Sequence, residues 1–186
     1  MIKEINWIAF CSQTGTEIVN ISNKLQIKPR IIITNNYKKL SEVTLKFISD
    51  NEITVIMLPL SPKEKHYNVL EFTSHTIITL NGYLKILPKS FIEKHPKLYN
   101  GHPGLITKYP ELKGLNPQEK AFNLKHTEIG AVIHRVTTDV DGGEIILGLE
   151  TNIKAGSDLE VYYYVLREVS LNTWIQFFKQ QVLKWI

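Results

Sequence analysis

The sequence has one cysteine, Cys11, in 186 residues. A lone thiol excludes a disulfide framework and a cysteine-based zinc site, and no metal is expected. Long apolar runs are missing: none approaches the roughly 20 residues that span a bilayer. The first residues, Met1-Ile2-Lys3-Glu4-Ile5-Asn6, lack the charged-then-apolar layout of a secretory signal. The expectation is a cytoplasmic protein with no membrane partner. Arginine is scarce as well, with Arg30, Arg135 and Arg167 against 19 lysines. Lysine is a point charge for phosphate and lacks the planar fork that reads base edges. The net charge of +4 therefore suits a small phosphorylated or carboxylated ligand and weighs against nucleic acid, although solvated lysine faces alone would produce the same figure. Internal repeats and low-complexity tracts are absent.

What is present reads as one folded domain over residues 1–186, with 43% hydrophobic and 22% charged residues. Apolar runs of buried-strand type lie at 5–11, 30–34, 53–58 and 76–81. Between them, helical spacing appears at Ile18, Ile21 and Leu25 and again over Leu40 to Ile48, and 63–73 has helical character. Alternation at this spacing predicts βαβ units: an α/β fold with a mostly parallel twisted sheet and helices on both faces. Ligands are then expected beyond the carboxyl ends of the strands. The second half differs. Residues 99–117 are rich in Gly, Pro and Tyr and read as a long loop. A helix is expected from Pro117 to about Lys125, and strands at 127–136 and 144–153. A long C-terminal helix follows, started by Ser157-Asp158-Leu159-Glu160, with Val161, Val165, Val169, Trp174, Phe177 and Phe178 packing on the sheet.

Three places carry residues suited to chemistry. The turn Ser12-Gln13-Thr14-Gly15-Thr16-Glu17 joins a strand to a helix, where backbone N–H groups attract anions. It reads equally as a plain turn with Thr14 or Thr16 as N-cap. Asn100-Gly101-His102-Pro103-Gly104 sets an amide and an imidazole two residues apart, on one face if the backbone is extended. Asn can donate to a developing oxyanion, and His can carry a proton near neutral pH. Asp139-Val140-Asp141-Gly142-Gly143 is turn chemistry, or else a carboxylate source that would raise the pKa of His102 and orient it.

Together these residues resemble the folate-dependent formyltransferases, most of all their glycinamide ribonucleotide branch. Leu80 to Leu87, Asn100-Gly101-His102-Pro103, Lys108-Tyr109-Pro110, Gly130 to His134 and Asp141-Gly142-Gly143 occur in the order of that family. The resemblance implies a formyltransferase-like sheet with 10-formyltetrahydrofolate as co-substrate and donor. It implies Asn100, His102 and Asp141 as the catalytic trio. It gives Leu84, Lys85, Ile86 and Leu87 a role in holding the pterin, with Val140 in the loop that closes over it. Thr14, Gly15 and Thr16 match the loop that grips the acceptor's phosphate, and Glu168 matches an acceptor-contacting carboxylate.

The implied reaction moves a formyl group to the amine of a small phosphorylated acceptor, glycinamide ribonucleotide first. Asn100 and His102 would stabilise the formyl oxygen, and Asp141 would charge His102 and relay a proton through water. The alternatives are an amino sugar on a nucleotide or another modified nucleotide amine, and a catalytically inactive folate-binding protein. Formyltransferases acting on tRNA carry an added C-terminal domain, which this chain is not expected to have. A homodimer is left open. The departures lie on the acceptor side: Gln13 replaces a glycine, Glu17 stands at an Asn position, and Thr107 stands where proline is usual.

Overall fold

The computed structural model describes residues 2–181. These form two compact units, one ending at Asn100 and the other beginning at Gly101. In the first unit, β1 (Lys3–Cys11), β2 (Ile27–Thr34), β3 (Thr54–Met57) and β4 (Ile77–Leu80) are joined by helical connections. With β5 (Leu98–His102), which crosses into the second unit, they run in the order β3-β2-β1-β4-β5, with all four neighbouring pairs parallel. The α/β class with a mostly parallel sheet is thus borne out. The central strand β1 buries Trp7 to Cys11 without a polar break, as a parallel strand covered on both faces must. Helix α1 (Thr16–Leu25) buries Ile18, Val19, Ile21 and Ser22, and α2 (Glu42–Asp50) is capped by Ser41, whose Oγ accepts the Thr44 N–H at 3.2 Å.

Several expectations are corrected. The Gly/Pro-rich stretch from 99 is not a loop throughout: Leu98–His102 pairs with β4 through Ile78↔Leu98, Thr79↔Tyr99 and Leu80↔Asn100. Asn and Gly are poor strand formers, but pairing with a buried neighbour overrides propensity. The helix expected over 63–73 is only α3 (Glu64–Asn68), and α4 (Lys89–Lys94) had no signal in the periodicity. Strand β2 starts three residues earlier than its apolar run, at Ile27.

In the second unit, α5 (Pro117–Asn123) opens with Pro at its first turn. Strands β6 (Glu128–Arg135) and β7 (Ile145–Asn152) form an antiparallel pair whose register slips between Ile133 and His134. The long helix α6 (Leu159–Gln181) is started by Asp158, whose Oδ1 accepts the Val161 N–H at 2.9 Å. Its buried stripe runs through Tyr162, Leu166, Ser170, Thr173, Trp174, Phe177 and Phe178. Val161, expected in that stripe, is exposed, one position off the inward face. Among the described residues, no helix is long and apolar enough to cross a membrane.

Candidate functional site

The clearest chemistry lies in the second unit. Asp141 occupies the turn between β6 and β7 with a left-handed backbone, φ 50°, a region that Asp tolerates better than most residues. The turn is held by the Gly142 N–H on the Asp139 carbonyl (3.1 Å) and the Thr137 hydroxyl on the same oxygen (3.2 Å). Gly143 is obligatory, because a Cβ there would lie 1.8 Å from the Arg135 carbonyl oxygen. This conformation turns the Asp141 side chain inward, to 9% exposure, while Asp139 stays in solvent. Asp141, not Asp139, is therefore the carboxylate that meets His102.

The carboxylate is shared. His102 Nδ1 lies 3.3 Å from Oδ2, His134 Nε2 lies 3.2 Å from Oδ1, and the Gly114 N–H donates to Oδ2 at 2.8 Å. Each imidazole gives its other nitrogen to a backbone carbonyl. His102 Nε2 donates to Leu112 (2.9 Å), and His134 Nδ1 donates to Arg135 (3.0 Å). Burial alone would raise the Asp141 carboxyl. The His134 hydrogen bond, the His102 ring and the Gly114 N–H outweigh it and hold the group at about 2, so it is ionised at neutral pH.

His102 goes the other way. Burial pushes its pKa below the ordinary value, against the raising effects of Asp141 and the Leu112 carbonyl. The expectation that the carboxylate would raise it is corrected in net direction, because desolvation dominates. The result is a neutral ring with one proton and two facing acceptors. It becomes fully hydrogen-bonded only on gaining a second proton, which suits a group that collects one during a reaction.

Asn100 precedes His102 by two positions on β5. The residue between them, Gly101, leaves room for the Trp174 indole: a Cβ at 101 would stand 2.5 Å from Trp174 Nε1. That Nε1 is buried and has no hydrogen-bond partner among the described residues. Close packing of an indole against the backbone holds this stretch of β5 in one position.

The first unit holds the remaining expected residues. The 12–17 turn is fastened to α2, since the Thr14 carbonyl accepts the Thr44 hydroxyl (2.8 Å) and the Ser41 N–H (3.0 Å). The N-cap of α1 is Gly15 at φ 73°, with no side-chain cap. Thr14 and Thr16, expected as caps, bond one another at 3.0 Å instead. Glu17 is the end of a relay from the core: Trp7 Nε1 donates to Thr79 (2.7 Å), Thr79 to Asn81 Oδ1 (2.6 Å), and Asn81 Nδ2 to Glu17 Oε2 (3.0 Å). Its carboxylate thus occupies the first turn of α1, where the helix dipole favours a negative charge.

The same turn holds the 84–87 segment. Ser12 Oγ accepts the Leu84 N–H (2.9 Å), and the Ser12 N–H reaches the Gly82 carbonyl (3.1 Å). Tyr83 and Leu87 are buried anchors, with Tyr83 bonded to Tyr67 at 2.7 Å between hydroxyls. Between them Leu84 and Ile86 stand out, Ile86 at 78% exposure, and Lys85 is half-buried. Leu84 and Ile86 are thus apolar side chains left open to a ligand on a backbone fixed by Ser12. Val140 is likewise exposed in its own turn. Glu168 sits on the exposed face of α6 and makes no ion pair or hydrogen bond among the described residues, so it does not join the Asp141 cluster.

His134 was missed as a site residue. Its motif, Gly130 to His134, was visible, but a histidine inside an apolar strand reads as core. Only the register slip at Ile133/His134 explains its reach to Asp141.

These parts define an α/β protein with a buried His–Asp–His cluster at a strand-to-strand turn, able to hold and pass a proton. Residues 21–177 match the model of the formyl transferase family, and the chain belongs to that family. It is similar to phosphoribosylglycinamide formyltransferase of Haemophilus influenzae, 36% identical over 85 residues, which cover 45% of this chain and 39% of that protein. It is also similar to formyltetrahydrofolate deformylase 2, mitochondrial, of Arabidopsis thaliana, 30% identical over 126 residues, 66% of this chain and 38% of that protein. The chain spans less than half the length of the curated relatives it matches. Among solved structures it resembles phosphoribosylglycinamide formyltransferase from Streptococcus pneumoniae TIGR4, with a TM-score of 0.79 over 97% of this chain and 98% of that one. At 19% identity that likeness shows the fold.

Proposed function

We propose that the chain transfers a formyl group from 10-formyltetrahydrofolate to the amine of a small phosphorylated acceptor, glycinamide ribonucleotide first. The observation that carries this reading is the buried His102 ring set between the Asp141 carboxylate at 3.3 Å and the Leu112 carbonyl at 2.9 Å. Formyl transfer to an amine creates two needs: negative charge on the formyl oxygen must be stabilised, and the attacking nitrogen must lose a proton. Asn100 is assigned the oxygen through its amide N–H, and His102, two positions on along β5, through the positive charge it gains during the reaction. The nitrogen's proton passes through water to His102 and on to the folate nitrogen, which leaves as tetrahydrofolate when its bond to the formyl carbon breaks. The resulting imidazolium is stabilised by the Asp141 carboxylate 3.3 Å away and by the Leu112 carbonyl. The 84–87 ridge and Val140 are assigned the folate, and the 12–17 turn and Glu168 the acceptor. One formyltransferase domain over 1–186, acting in the cytoplasm on small molecules, completes the reading. The single buried thiol accords with a reducing compartment.

A second reading gives the formyl group to water. Glu17 supports it by setting a negative charge where an acceptor's phosphate would sit, and so does the similarity to a deformylase. Water needs no phosphate grip.

The test is to mix the protein with 10-formyltetrahydrofolate and follow tetrahydrofolate by absorbance. Parallel reactions contain glycinamide ribonucleotide, a nucleotide-linked amino sugar, or no amine. Turnover that requires glycinamide ribonucleotide supports the first reading. Equal turnover without amine replaces it with the hydrolytic one, and folate binding without turnover in any arm overturns both.

A further inference from the structure

The register of β1 against β2 slips at one place. Ile5 pairs with Pro29 and Ile8 with Ile31, so Asn6 and Trp7 together stand opposite Arg30 alone. Pro29 offers no N–H to the ladder, and the bulge opens the sheet near its amino-terminal edge. Trp7 turns into the core, where Thr79 accepts from its Nε1. On the other side lies a cavity of about 240 Å³ that Asn6 and Arg30 help to line.

Its walls have three chemistries. Arg30 and Glu71 supply one positive and one negative charge, and among the described residues neither makes an ion pair or hydrogen bond. Ile8, Ile31 and Phe72 supply an apolar wall. Asn6, Thr73 and Thr76 form a polar floor: the Thr76 hydroxyl donates to Asn6 Oδ1 (3.2 Å), Asn6 Nδ2 donates to Thr73 Oγ1 (3.4 Å), and the two threonine hydroxyls lie 3.1 Å apart. That floor is built without either charge, so the guanidinium and the carboxylate are left for something else. The volume falls below the ~300–1,000 Å³ of pockets for drug-sized molecules, which restricts the occupant to about the size of one amino acid. Thr73 and Thr76 precede β4, whereas the 12–17 turn and the 84–87 segment follow β1 and β4. The cavity is therefore at the opposite strand ends from the folate and acceptor segments.

We propose that this cavity is a second ligand site, for a small zwitterion of the α-amino-acid type with an aliphatic side chain. The carboxylate pairs with Arg30, the ammonium with Glu71, and the side chain lies against Ile8, Ile31 and Phe72. Separated opposite charges select a molecule carrying both over one carrying either.

The experiment is an NMR titration of the ¹⁵N-labelled protein with three probes of one carbon skeleton: L-leucine, 4-methylpentanoate with only the carboxylate, and isoamylamine with only the ammonium. L-leucine is expected to shift the amides of Asn6, Arg30, Thr73 and Thr76 saturably, and each half-probe to bind about tenfold more weakly, one lost ion contact. Arg30→Gln should weaken L-leucine and 4-methylpentanoate and spare isoamylamine. Glu71→Gln should weaken L-leucine and isoamylamine and spare 4-methylpentanoate. Both residues are exposed, so the variants fold. Absence of a saturable leucine shift at these amides, or binding undiminished in both variants, overturns the proposal.

Discussion

The turn at Asp141 and the turn at Gly15 both place a carboxylate at a bend that follows a strand, and they use it in opposite ways. Asp141 is nine-tenths buried, held by two imidazoles and one N–H, with backbone carbonyls behind each ring. The His134 and Gly114 contacts hold that charge, which is placed to stabilise a proton gained by His102. Glu17 is half-buried and ends a hydrogen-bond relay from Trp7 that fixes its charge at a helix start. That charge fills a place where a ligand's anion would gain from the same dipole. On the proposed reading the first turn supplies the reacting groups, and the second sets a carboxylate at the helix start assigned to the acceptor's phosphate.

The largest effect should come from the Asp141 cluster. Asp141→Asn keeps the size of the side chain but leaves His102 without its counter-charge, and His102→Ala removes the ring. Turnover in the tetrahydrofolate assay should fall by roughly 10²–10³-fold or more in each, with folate affinity measured by fluorescence titration nearly unchanged. Activity equal to the parent in either variant would sink the assigned roles.

Next is the support beneath those residues. Gly101→Ala drives a methyl into the Trp174 indole, an overpacking that costs about 1–3 kcal/mol. Trp174→Phe removes the crowding atoms at a cost of its own. The sharper result is the pair: the double variant should be more stable in urea than the sum of the single losses predicts, a coupling expected only for residues in contact. Additive losses would mean that Trp174 does not hold β5 through Gly101.

Much of this was legible in the chain. Strands β1, β2 and β4 were visible because parallel interior strands bury both faces and so read as apolar runs, as in Ile31 to Ile33, and β3, half exposed at the edge, was visible from its apolar residues alone. The order of Asn100, His102 and Asp141 was visible because a turn needing Gly142 and Gly143 marks itself. Strand β5 was not, since Tyr99 and Asn100 are held extended by pairing with β4 and not by the preferences of the Asn-Gly stretch. His134 was hidden for a related reason: its partner is chosen by a one-residue register slip, which leaves no trace in a pattern of period two. The fall in the pKa of His102 was hidden too, because spacing shows which charges are near and not how much water is removed.

A smaller effect is expected at the other turn. Glu17→Asn removes the negative charge at the start of α1 and leaves an amide able to meet Asn81. Binding of inorganic phosphate or of a phosphorylated amine should tighten by up to about tenfold, near 1.4 kcal/mol, and the gain should shrink with salt. Unchanged phosphate affinity at low salt would show that this turn is no longer an anion site, and would favour water as the acceptor.

The smallest effect is a titration. Below the usual histidine range of about 6.5, the folded protein resists protonating His102, because burial outweighs Asp141 and Leu112. The linkage follows from that direction. The unfolded chain binds this proton more readily, so His102's contribution to stability is fully present above the ordinary pKa and is lost as pH falls from there toward the lower folded value. Asp141, held at about 2, adds its own loss only in more acid solution, beginning as pH falls into the ordinary carboxyl range and complete below about 2. Long-range ¹H–¹⁵N NMR should give a His102 midpoint below 6.5 in the parent protein. Asp141→Asn should move it lower still, since the one nearby negative charge that raises it is gone. A midpoint above 6.5 in the parent would mean that the carboxylate outweighs burial after all, and that His102 enters the reaction as an imidazolium, ready to donate to the formyl oxygen and not to collect the amine's proton.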